Sequence, residues 1–125
     1  MNRRVVITGM GIYSCIGQNK EEVLKSLFEG KSGIGLDPKR KEMGYRSSLT
    51  GVIKTPNLKK LLDRRQRLCL PEQGQYAFVA TKEALEQAGI DQDYLKNNEV
   101  GILFGNDSCA EPVIKGADII REQKS

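Results

Sequence analysis

Two short stretches of this chain are apolar without relief. Arg4 to Thr8 carries consecutive β-branched residues, and Val100 to Phe104 contains no polar residue. A strand with one solvated face alternates apolar and polar positions, so unbroken runs of this kind read as strands buried on both faces. Such strands demand neighbours in a sheet and cover above and below it. The sequence offers one weaker strand signal besides, around Leu49 to Ile53 and interrupted by Gly51. The expected class is therefore α/β with part of a parallel sheet. That sheet is short of neighbours, and the 125 residues read as an incomplete unit of one domain at most, with a single modest core.

Helices fill the intervals. Asn19 followed three residues later by Glu22 is a capping box, and Val23, Leu24, Leu27 and Phe28 share one face. Gly30 supplies a left-handed stop. Residues 31–57 read as irregular. Pro71 to Ala88 is the longest helix, ended by Gly89-Ile90 in the manner of a Schellman motif. Its inner stripe, Ala77, Ala80, Ala84, Leu85 and Ala88, is small enough to let another element lie very close. Asp91 caps a short turn, and Pro112 to Gln123 forms a weakly helical tail. The order is strand, helix, basic loop, helix, strand, helix, with no internal repeat.

The opening "RRVVITGMGIYSCIGQN" has the strand, glycine turn and helix order of a dinucleotide-binding fold, so its glycines need testing. With Gly9 and Gly11 in the first two places, the third falls on Ser14, and the fingerprint fails. A short-chain dehydrogenase spacing would want glycine where Tyr13 and Cys15 stand. Its Tyr-x-x-x-Lys pair is also missing, since Tyr76 precedes Lys82 by six. Gly9 and Gly11 are expected to serve close packing and a positive-φ turn rather than a phosphate.

Composition removes further classes. Histidine is absent, so no Ser-His-Asp triad, Cys-His pair or imidazole base exists in these residues. Cys15, Cys69 and Cys109 are unpaired in spacing, which argues against a disulfide framework or a zinc site; each reads as a small buried or half-buried thiol. No apolar run is long enough for a membrane and no signal peptide is visible, so the expected address is cytoplasmic. Net charge is +4, yet residues 36–70 hold ten basic residues against Asp37, Glu42 and Asp63. A field that one-sided attracts an acidic partner. Aromatic residues do not interleave with the cations, so nucleic acid is not expected.

The segments "RRVVITGMGIYSCIGQNKEEVLKSLFEGKSGI", "GYRSSLTGVIK", "LLDRRQRL", "QYAFVATKEALEQAGI" and "VGILFGN…KGADIIR" together resemble the opening of the β-ketoacyl-acyl carrier protein synthases, nearest their type I branch. The likeness covers essentially the whole chain in order and spacing. It implies the N-terminal part of a thiolase-like fold, layered αβαβα and incomplete here, so residues 1–125 would be a partial N-terminal half with no second domain. It further implies a homodimer performing the decarboxylating Claisen condensation of an acyl thioester with malonyl-acyl carrier protein in fatty acid biosynthesis, with no metal or organic cofactor. In that family the nucleophilic cysteine and two histidines fall beyond Ser125, and none of the three cysteines here matches it. This chain alone is therefore expected to be inactive.

The resemblance also implies sites. Condensing enzymes dock the acidic acyl carrier protein through the segment matching "LLDRRQRL". Arg65 aligns with one docking cation and Arg64 adjoins it, while the next falls on Leu68 with Arg67 one place away. Arg65 and Arg67 are favoured, with Lys59 and Lys60 assisting through the longer-range field. The loop at Asp107 to Ala110 departs from the family's glycine pattern, and Ser108 is the residue there expected near the acyl pocket. The competing reading is a non-catalytic truncated module that binds acyl carrier protein or another acidic partner, with a nicotinamide dehydrogenase a distant third.

Overall fold

The computed structural model describes residues 4–107 and 110–123. Helix α1, Lys20–Phe28, starts where the capping signal places it: Asn19 Oδ1 accepts from the Glu22 amide at 2.9 Å. The Glu22 carboxylate reaches back to the Gln18 amide at 2.8 Å rather than to that of Asn19. Gly30, at φ 64°, ends the helix, with the Lys31 amide donating to the Ser26 carbonyl. The buried face differs from the expected one. Val23 and Ser26 are buried, whereas Leu24, Leu27 and Phe28 are exposed. Their apolar ridge lies largely open to water.

The expected irregular stretch contains structure. Strand β1 (Ile34–Leu36) pairs antiparallel with β2 (Leu49–Gly51), with Gly35 opposite Thr50. Between them lies α2, Pro38–Glu42, capped by Asp37. A 3-10 turn at Leu58–Lys60 and helix α3, Arg64–Leu68, lead into α4, Glu72–Ala88. Pro71 is the residue before α4 rather than inside it, and Gly89 at φ 69° closes the helix as its sequence requires. The Asp91 turn opens a true helix, α5 (Gln92–Asn97), and α6 occupies Glu111–Gln123.

Neither apolar run forms a strand. Among the described residues the only sheet is the two-stranded antiparallel ribbon, so the expected parallel sheet is corrected. The physical reason lies in the signal itself. Runs buried on both faces need flanking strands for their amides and layers for their side chains, and these residues supply neither. Val5, Ile7 and Leu103 are more than nine-tenths exposed. The expected core is likewise nearly missing, with Val23 and Leu58 as the buried apolar residues among those described.

What fixes the N-terminal segment is α4. Gly9 and Gly11 lie so close to it that a Cβ would stand 2.1 Å from the Ala84 carbonyl oxygen and 1.8 Å from that of Ala80. The alanine stripe is the surface they approach. Gln87 Oε1 accepts from the Met10 amide at 2.8 Å, and the Glu83 carboxylate accepts from Ile12 at 2.9 Å and from Lys20 at 2.8 Å. Close packing is thus the role of both glycines. A positive φ is not, since that conformation occurs at Gly30, Gly44 and Gly89.

Candidate functional site

The basic segment is built on one buried anchor. Leu58 is buried and holds the 3-10 turn, whose exposed residues are Lys59 and Lys60. Asp63 then makes a full capping box: its carboxylate accepts from the Gln66 amide at 2.8 Å and its own amide donates to Gln66 Oε1 at 3.0 Å. A helix of five residues cannot hold itself together by propagation, so this reciprocal cap is what sets α3.

Arg64 and Arg65 occupy the first two positions of α3 and are exposed. Arg64, at the first position, faces the positive end of the helix dipole, an arrangement that costs rather than contributes stability, whereas Arg65 also falls within the last turn of so short a helix. Among the described residues no carboxylate pairs with Lys59, Lys60, Arg64 or Arg65. These four charges are presented to solvent. Arg67 is different. It is half-buried, its Nη1 donates to the Leu62 carbonyl at 2.7 Å, and it lines a cavity of about 200 Å3 with Leu58 and Gln75. Leu68, one helical turn after Arg65, is 76% exposed.

Ser108 and Cys109 lie outside the described residues. The apolar run before them does border a groove of about 500 Å3, where Ile102 and Phe104 meet Leu70, Ala77 and Phe78. Cys15 is half-buried, with Gly33 and Gly51 against its thiol; Cys69 is exposed, contrary to expectation. Its place at the end of α3, outside any packed layer, is the reason.

A nucleotide has no place at the glycine loop. Two of the loop's amides are already taken by Glu83 and Gln87, and the Glu83 carboxylate would repel a phosphate. Beside that loop Tyr13 and Tyr76 stack with ring centroids 5.6 Å apart. The Tyr13 hydroxyl donates to the Lys54 carbonyl at 2.8 Å, and that of Tyr76 donates to Glu72. Burial, then the hydrogen bond and charge of Glu72, push the Tyr76 phenol well above the ordinary tyrosine value. Burial and then Glu22 raise that of Tyr13. No sequence spacing points to this pair, which lies far apart along the chain. Among the described residues no group of three side chains could hold a metal ion, and no helix is long and apolar enough to cross a membrane.

A mixed α and β chain with its glycine loop sealed against a helix and its cations turned outward is matched over residues 2–122 by the family model for the β-ketoacyl synthase N-terminal domain. The chain belongs to the β-ketoacyl synthase family. It is 45% identical over 103 residues to the 3-oxoacyl-[acyl-carrier-protein] synthase 1 of Haemophilus influenzae, an alignment covering 82% of this chain and 25% of that protein. The enzyme of the same name from Escherichia coli K12 is 37% identical over 121 residues, 95% of this chain and 30% of that protein. That of Buchnera aphidicola from Baizongia pistaciae is 39% identical over 124 residues, 98% and 30% respectively. The chain thus spans between a quarter and a third of the curated relatives it matches.

Proposed function

We propose that these residues form part of a β-ketoacyl-acyl carrier protein synthase, which joins an acyl thioester to malonyl-acyl carrier protein with loss of CO2 in fatty acid biosynthesis. Their part is scaffold and docking surface rather than chemistry. The observation that carries this reading is the conjunction of an end-to-end family match with a complete lack of histidine. The family reaction relies on a cysteine thiolate and two imidazoles, and the 125 residues hold no imidazole. By themselves they are inactive. The layered αβαβα architecture, the homodimer and the cytoplasmic address belong to the same proposal, as does an acyl pocket near Ser108.

Docking of the acidic carrier protein falls to Arg64 and Arg65, with Lys59 and Lys60 adding field. Four solvent-facing cations without acidic partners among the described residues support this assignment. Arg67 joins them mainly as a brace, its guanidinium holding the turn that presents the others. A module that only binds the carrier protein is the second reading, favoured by the same cations.

The test uses the natural polypeptide that carries this sequence. Arg64→Glu with Arg65→Glu should raise KM for the carrier-bound substrate about tenfold at low salt, while turnover of a small pantetheine thioester stays unchanged. An unaltered KM removes the docking assignment. Condensation by the purified 125 residues removes the scaffold reading, and a natural polypeptide that binds carrier protein without condensing anything would leave the binding-only module.

A further inference from the structure

The cations of α3 do not stand alone. A cleft of about 560 Å3 separates the start of α2 from the end of α3 and the first turn of α4. Lys39 forms its α2 wall, Leu68 its α3 wall, Pro71 and Glu72 the α4 side, and Ile119 of α6 lies across from them. Arg65 and Leu68 are three residues apart on α3 and therefore neighbours on one helix face. Arg65, Leu68, the cleft and Lys39 make one continuous surface.

Lys39 is placed like Arg65. It sits at the second position of a five-residue helix behind an aspartate cap, as Arg65 does in α3. Its backbone amide, not its ammonium, meets Asp37 Oδ1 at 3.0 Å, and among the described residues no carboxylate pairs with the ammonium. Between the two cationic rims lies apolar surface left to water: Leu68 is 76% and Ile119 52% exposed. A basic rim around an apolar floor is the anatomy of a protein interface. Glu72 is the opposing charge within the cleft, and it accepts the Tyr76 hydroxyl.

We propose that the carrier-docking surface crosses this cleft, with Leu68 as its apolar floor and Lys39 as its far cation, so that one acidic carrier protein is gripped from both rims. The proposal rests on the docking reading of α3 and extends it to an element that reading does not include. Charge complementarity selects the occupant: the ten cations of residues 36–70 face three acidic residues, and the partner's carboxylates complete the balance.

The experiment measures the affinity of purified acyl carrier protein for the natural polypeptide carrying this sequence, at low and at physiological salt. Lys39→Glu should weaken binding about three- to tenfold at low salt, and less at physiological salt. Folding is not at risk, because glutamate suits a first helical turn. Leu68→Ala should weaken binding about threefold at both salt concentrations. Lys41→Glu is the control. It carries the same charge change on the same helix but lines a separate cleft with Tyr45 and Arg46, and it should alter affinity less than about twofold. Equal effects at Lys39 and Lys41 would reduce the cleft to a long-range field and overturn the proposal. Weakening by Arg65→Glu with none by Lys39→Glu overturns it while leaving α3 as the docking site. No weakening by either removes both.

Discussion

A methyl group at Gly11 would have to share space with backbone, not with a side chain that could swing away. Its nearest neighbours are the Ala80 carbonyl and the Ala84 amide nitrogen, and at Gly9 the Ala84 carbonyl plays the same part. Both carbonyls belong to the interior of α4, so relief requires the whole segment to lift. That movement would also pull Met10 and Ile12 off Gln87 and Glu83. In the natural polypeptide that carries this sequence, Gly11→Ala should therefore destabilise by about 1–3 kcal/mol, read as a shift in urea midpoint. Gly35→Ala, whose Cβ would meet only the Val52 Cγ2 at an ordinary 3.6 Å, should change the midpoint little. The two tyrosines give a second residue-scale expectation. Raised phenol values mean that above about pH 10 the folded protein holds protons which the unfolded chain has released, so stability falls as pH rises from there. Tyr76→Phe should flatten that alkaline decline in a series of denaturation curves taken at increasing pH. An unchanged slope would show that the stack does not set it.

At the scale of elements, α3 depends on its first residue more than on its length. Asp63→Ala removes the carboxylate half of the capping box, leaving the amide of position 63 still donating to Gln66 Oε1, and takes away the negative charge beside Arg64 at the helix start. The expected cost is about 1 kcal/mol of local stability. Carrier-protein affinity should fall with it even though no docking cation has changed, and faster amide exchange at Gln66 and Arg67 is the accompanying readout. Elements of this kind explain what the sequence could tell. α1, α4 and both left-handed stops were legible because caps, glycine stops and alanine spacing are local signals, satisfied within one turn. The two unbroken apolar runs were legible as buried strands, yet burial is a property of neighbours, and here they lie open to water. The ribbon was half visible: β2 carried a strand signal, while the three residues of β1 are too few to show a period beside Gly33 and Gly35. The docking cations could be listed from the sequence. That Arg67 turns inward to Leu62, and that Lys39 and Leu68 line one cleft, follows only from how the chain is folded back between them.

The whole molecule exposes 11053 Å2. A compact monomer of 13.9 kDa would expose about 6,700 Å2, so roughly 4,400 Å2 of surface is uncovered that folding normally removes. Docking cannot account for it. A standard protein–protein contact covers about 800 Å2 on each partner, less than a fifth of the excess. The excess also lies elsewhere, on Val5 to Ile7, on Ile102 to Phe104 and on the α1 ridge, none of which is cationic. An area of that size and polarity belongs to an obligate interior, which favours the scaffold reading over a binding-only module. The two readings part experimentally. Produced as 125 residues, the chain should bind a hydrophobic dye and melt without a cooperative transition, and saturating acyl carrier protein should not restore one, because it covers the wrong face. A module whose purpose is binding would do the opposite. It would melt cooperatively as a dilute monomer, or gain a sharp transition when the carrier protein is added.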